Sequence, residues 1–159
     1  MDKEAIFSAA KQYLDGALTK YVTETTPDGY TLFCPKLRIK NSLGAVSQTI
    51  EIWETHMAIY AHCPVKAPPE HVGETAKFLA LANYDLIPGN LDLDVETGEV
   101  SYRYFVECEG FEELPVEMLC RFCPIPYLML LQYGDAIAAV AAGRSDAESA
   151  FSQVKAKGF

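Results

Sequence analysis

Cys120-Arg-Phe-Cys123 is the pair of residues in this chain whose spacing most suggests chemistry. Two thiols three positions apart work as a redox couple where a helix N-terminus lowers the pKa of the first. They also form half of a tetrahedral zinc site where a second pair of ligands converges on them. His62, Cys63 and His71 are the residues that could supply that second pair. The surroundings argue against both uses. The motif lies within a helical stretch just ahead of Pro124, no βαβ pattern flanks it, and a proline linker separates Cys63 from His71. A small metal- or thiol-dependent redox protein using Cys120 and Cys123 is therefore the alternative reading. Asp92, Asp94, Glu96 and Glu99 form a second polar group, but their spacing is not that of an EF-hand loop, and they read as a solvated hairpin. His56 reads as a turn residue. No nucleophile elbow, P-loop, dinucleotide fingerprint or His-Glu-x-x-His motif occurs. These residues predict no catalytic site, no cofactor and no metal, so the chain is expected not to be an enzyme.

The composition narrows the partners. With 22 acidic and 13 basic residues the formal charge is −9. Phosphate backbones are bound through clustered Lys and Arg, and Lys36-Leu-Arg38-Ile-Lys40 is too short a run for that. No nucleic-acid partner is expected. Half the chain is hydrophobic, enough for a real core in a single domain spanning 1–159. No apolar run reaches the ~18 residues of a membrane span. The first residues lack the basic and apolar regions of a signal peptide. The expectation is a cytoplasmic protein with no membrane partner, whose five cysteines are reduced.

The element that fixes the fold lies between Asn83 and Tyr104. Leu91, Leu93 and Val95 alternate with polar residues, as do Val100, Tyr102 and Tyr104. Such alternation predicts two half-buried strands. Leu91 and Leu93 must share a face with Val100 and Tyr102, so the loop holds an even number of residues. A four-residue loop, Val95 to Gly98, with Gly98 left-handed, satisfies this and pairs Leu93 with Val100 and Leu91 with Tyr102. Asp92 and Arg103 then meet diagonally on the opposite face. Asn83-Tyr84, Gly89-Asn90-Leu91-Asp92-Leu93-Asp94 and Thr97-Gly98-Glu99-Val100-Ser101-Tyr102-Arg103 resemble the central motif of the YbjN-type domain. Tyr133 to Gly143 resembles that family's last helix, and the resemblance spans roughly Thr31 to Gly143. The family is labelled a proposed bacterial sensory transduction regulator. The resemblance implies the fold of the type III secretion chaperones and carries no assigned reaction and no catalytic residues. Asn83, Gly89 and Gly98 are its fold-determining positions. Small acidic secretion chaperones also share this chain's charge balance.

The remaining elements follow in order. Asp2 to about Lys20 reads as a helix, with Ile6, Ala10, Tyr13 and Ala17 at helical spacing and Phe7, Leu14 and Leu18 beside them. Pro27-Asp28-Gly29 turns the chain into a strand from Tyr30 to Lys40. There Phe33, Leu37 and Ile39 share a face, and Pro35 requires an edge position or a bulge. Strands are predicted over Val46–Glu54 and His56–Cys63, then a linker over Pro64–Pro69. A helix over Pro69–Asn83 has Val72, Ala76, Leu79 and Asn83 in line. Asn83 is read as satisfying carbonyls at the helix end or taking a left-handed conformation. After the hairpin comes a helix over Leu114–Cys120, a break at Cys123–Ile125, and a helix over Pro126–Ala142 closed by Gly143. Small residues in that helix permit close approach of a neighbouring backbone. Ser145 and Glu148 form a capping box for a last helix, frayed over 155–159. The prediction is an α+β fold: helix, three-stranded meander, helix, β-hairpin and C-terminal helices. Its antiparallel sheet has five strands, with helices mainly on one face.

Alternation leaves Trp53, Tyr60 and Phe105 on the other face of that sheet. Exposed clustered aromatics mark contact surfaces, here for a partner, for a second copy or for partial cover by the C-terminal helix. The expected function is a non-enzymatic, cytoplasmic protein-binding or chaperone-like regulatory module, with a homodimer as the expected assembly.

Overall fold

The computed structural model describes residues 1–17 and 19–158. In order the elements are α1 (Lys3–Gly16), β1 (Val22–Thr25), β2 (Gly29–Arg38), β3 (Ala45–Trp53), β4 (His56–Lys66), α2 (Val72–Asp85), β5 (Asn90–Leu93), β6 (Glu99–Glu107), α3 (Val116–Phe122), α4 (Ile125–Ala141) and α5 (Ala147–Ala156). The strands form one antiparallel sheet in the order β1-β2-β3-β4-β6-β5. The α+β class is as expected, but the sheet has six strands rather than five.

The extra strand explains the miscount. The first helix stops at Gly16 and does not reach Lys20; Leu18 lies outside the described residues. Val22-Thr-Glu-Thr25 then pairs with β2, setting Val22 against Phe33, and all four residues are exposed. A strand with no buried side has no apolar alternation to read. Only its β-branched composition marks it.

Pro35 produces the expected bulge: the register of β2 against β3 shifts between Cys34 and Leu37. Pairing with β1 ends at Phe33, so the missing Pro35 donor faces no strand on that side. The bulge also reverses the side-chain parity. Leu32 and Cys34 enter the core ahead of it, and Ile39 does so after it, while Phe33 stands exposed on the far face. The shared face expected for Phe33, Leu37 and Ile39 is corrected accordingly. A second register shift, between His62 and Lys66, lets β4 run through Pro64, so the linker begins later than expected.

Every helix packs on the same side of the sheet. Ile6, Ile50, Ile52, Met57, Ile59 and Leu119 form one cluster beneath α1 and α3. Phe78, Leu79, Tyr102, Leu130 and Ile137 belong to the other, beneath α2, α4 and α5. Tyr104 packs against both. Each of these large side chains contributes about 1.5–3 kcal/mol by leaving water. On α2 the buried stripe is Thr75, Phe78, Leu79 and Ala82, so the expected Val72–Ala76–Leu79–Asn83 line is rotated, with Ala76 exposed. The tripled proline region delays the start of α2 to Val72: Pro68 O accepts from His71 N and Val72 N in a preceding turn.

The chain breaks between α3 and α4 at Cys123 and Pro124, and Gly143 closes α4 with φ +66°. α3 lies two residues later than expected. The close approach at Gly134 comes from side chains of the β2–β3 turn. A Cβ there would lie 2.6 Å from Asn41 Nδ2 and from Leu43 Cδ1. Asn41 Nδ2 donates to Leu130 O at 2.8 Å, which ties that turn to α4. The cap of α5 is Asp146 rather than Ser145. Asp146 Oδ1 accepts from Ser149 N at 2.8 Å, and Glu148 instead pairs with Lys77 of α2 at 2.5 Å. α5 extends through Ala156, within the stretch expected to fray; Phe159 lies outside the described residues.

Candidate functional site

The hairpin that organises the fold has the predicted geometry. Leu93 faces Val100 and Leu91 faces Tyr102. Gly98 has φ +72°, and its N–H donates to Asp94 O at 2.8 Å, closing the loop. A side chain at Gly98 would also run into the Ala67 carbonyl, because Ala67 N donates to Gly98 O at 2.8 Å. Gly89 likewise has φ +75° and sits against Arg103 O. Asn83 does something other than cap its own helix. Its Nδ2 donates to Leu91 O at 2.9 Å, and its Oδ1 accepts from Leu91 N at 2.8 Å. That two-way bond supplies both backbone groups of an edge residue of β5 with partners and fixes α2 to the sheet.

Among the described residues this framework leaves one sheet face without a helix over it. Cross-strand register sets Glu51, Ala58 and Phe105 side by side across β3, β4 and β6. The flanking rows are Trp53 with His56, and Thr49 with Tyr60 and Arg103. Trp53 and Tyr60 are half-buried, while Phe105 is 52% exposed. The three candidate aromatics therefore share the face opposite the helices. They surround a concavity of about 590 Å3. His56, read both as a turn residue and as the first residue of the strand His56–Cys63, opens β4. A two-residue Glu54–Thr55 connection pairs it with Trp53 and takes Glu54 to φ +32°. Its ring centroid lies 5.3 Å from that of Trp53 and 5.2 Å from that of Phe105, making one continuous wall.

Glu51, His62 and Asp92 on this face are half-buried. Burial pushes the Glu51 carboxyl up, and also that of Asp92 despite the neighbouring Arg103 guanidinium. Arg103 Nε meets Asp92 Oδ2 at 3.0 Å, the diagonal pair expected from the hairpin register. Burial pushes the His62 imidazole down; its Nε2 lies 2.9 Å from Thr49 Oγ1.

The thiol candidates are dispersed. Cys123 is buried at the α3–α4 junction near Tyr13 and Cys34, and burial pushes its thiol up to about 12 and that of Cys34 up to about 11. Such burial opposes thiolate formation. Cys120 is exposed. Cys63 belongs to the core under α2 and α4, whereas His62 bonds to Thr49 and His71 rests against Gly143 at the end of α4. Among the described residues no group of three His, Cys, Asp or Glu side chains is placed to hold a metal ion.

The face residues that sequence reasoning did not single out are Glu51, Ala58, His56 and Phe33. Glu51 and Ala58 had a signal, since each alternates with buried neighbours. His56 and Phe33 did not, because an unmarked turn and a bulge hid their parity.

No protein-family model and no curated protein matches the chain. Solved structures do. YbjN from E. coli, described as a proposed transcription regulator, superposes with a TM-score of 0.59 at 13% identity, covering 87% of this chain and 93% of that one. An uncharacterised protein from Methanothermobacter thermautotrophicus gives a TM-score of 0.53 at 13% identity, covering 86% and 96%. The chain has the YbjN-type fold that its hairpin motif implies.

Proposed function

We propose that this protein is a non-enzymatic regulatory module, chaperone-like in use, that binds a client protein on the uncovered face of its sheet. The observation that carries this reading is the aromatic wall of Trp53, His56 and Phe105 on a sheet whose helices all lie on the other side. Apolar surface left in water costs ~25 cal/mol per Å², so a clustered patch of this kind gains from being covered. The fold neighbour described as a proposed transcription regulator is consistent with a binding role. The net charge of −9 favours a protein client over nucleic acid. No helix among the described residues is long and apolar enough to cross a membrane. The reading places the module in the cytoplasm with reduced thiols. A second copy of the chain is the rival occupant of the face, giving the homodimer.

A photo-crosslinking residue at position 105, with one at the exposed Leu128 of α4 as control, tests this in the native cytoplasm. The expected result is a discrete heterologous adduct from position 105 and none of that mass from position 128. An adduct of twice the subunit mass would assign the face to a second copy. No specific adduct at 105 would overturn the binding role.

A further inference from the structure

The uncovered face is chemically graded. At one end Trp53, His56 and Phe105 wall a concavity over Ala58, whose small side chain is only 1% exposed between them. Tyr60 borders this slot and also a second concavity, which holds Glu51, Asp92, Asp94 and Glu99. The two hollows adjoin at Tyr60: aromatics wall the first, whose rim also carries Lys3, Asp28, Glu54 and Arg103, and carboxylates crowd the second.

Of the cations around the two hollows, Arg103 pairs with Asp92 at 3.0 Å and Lys66 with Glu99 at 2.6 Å, while Lys3 Nζ donates only to the neutral Pro27 O at 3.2 Å and keeps its charge. Glu51 has no ionic partner among the described residues, yet it stands in the same row as Ala58 and Phe105. Around the two hollows carboxylates outnumber cations, Asp28, Glu51, Glu54, Asp92, Asp94 and Glu99 against Lys3, Lys66 and Arg103, so the net charge there is negative.

Resting on the client-binding reading above, we propose that the face takes an extended client segment of basic and apolar residues, with an apolar side chain over Ala58 and a Lys or Arg on Glu51. Charge complementarity selects this occupant. A second copy carries the same charge of −9 and the same surplus of carboxylates on this face. A basic segment meets those carboxylates favourably, and its apolar residues cover the aromatic wall. Electrostatic matching of this kind sets specificity and association rate.

Fluorescence anisotropy with a labelled nonapeptide of alternating Lys and Leu tests the chemistry directly. Two control peptides replace all Lys with Glu or all Leu with Ser. The Lys–Leu peptide should bind saturably at one per chain, about tenfold or more tighter than either control. Glu51→Gln should weaken it about fivefold. Glu117→Gln, at an exposed position of α3, should leave it unchanged. Ala58→Phe should fill the slot and abolish binding; circular dichroism and thermal melting establish that each variant is folded. Equal binding of the Glu–Leu peptide, no saturable binding, or insensitivity to Glu51→Gln would each overturn the proposal. If position 105 captures a client while the Lys–Leu peptide fails, this inference falls and the binding role stands. If neither occurs, both fall.

Discussion

Gly98 carries two constraints that separate experimentally. Its φ of +72° is unfavourable for most residues, and the Ala67 carbonyl occupies the space where a Cβ would go. The first constraint alone would let Asn replace glycine at small cost, because Asn tolerates the left-handed region. The second would not. Gly98→Asn and Gly98→Val should therefore both destabilise the protein, by about 2 kcal/mol or more in urea unfolding. A nearly neutral Asn variant would show that the Ala67 contact relaxes freely. His62 gives a second test at this scale. Its folded pKa lies below the unfolded value of about 6.5. Above that pH both states are neutral and the group contributes no pH dependence. As pH falls through about 6.5 the unfolded chain takes the proton first, so stability drops and then levels off below the folded pKa. The urea midpoint should fall between pH 7.5 and 5.5, and His62→Gln should flatten the slope. An unchanged slope in the variant would remove His62 from the account.

Asn83 shows how one polar side chain joins two elements. Its pair of bonds to Leu91 holds α2 against the edge strand β5. Asn83→Ala should leave both Leu91 backbone groups without that partner and cost about 1–3 kcal/mol. Asn83→Asp can accept but not donate, so it should fall between. Equal stability of the two variants would deny that both bonds matter. The hairpin served by this bond was legible from the sequence to the register, because apolar parity and one glycine leave a single solution. The helix C-terminal position of Asn83 was legible too, but not its partner, since Leu91 lies beyond the turn. β1 was not legible: a four-residue strand exposed on both faces carries no alternation. The parity of β2 failed at Phe33 because side-chain direction is carried along a strand only until a bulge interrupts it. The α5 cap slipped by one residue because Ser145 and Asp146 are both good caps, and local sequence does not choose between them.

The whole molecule is one twisted sheet with its helices on one side, and the uncovered side follows from alternation alone. That is why Trp53, Tyr60 and Phe105 could be assigned to it before any coordinates. The shape of the face could not be assigned. The slot over Ala58 depends on which residues stand opposite one another across β3, β4 and β6, and the Glu54–Thr55 turn that sets half of this register contains neither Gly nor Asn. The unmatched charge of Glu51 emerges only once Arg103 and Lys66 are seen to be paired elsewhere. Trp53 is the sole tryptophan, so its emission reports this face without interference. The most direct measurement is acrylamide quenching of that emission over a dilution series, repeated with the alternating Lys–Leu nonapeptide at saturation. The account predicts efficient quenching of the free protein at every concentration, then shielding and a blue shift when the peptide binds. Blue-shifted emission that resists quenching in the free protein even at the lowest concentration would contradict it, because Trp53 would then be covered without a client.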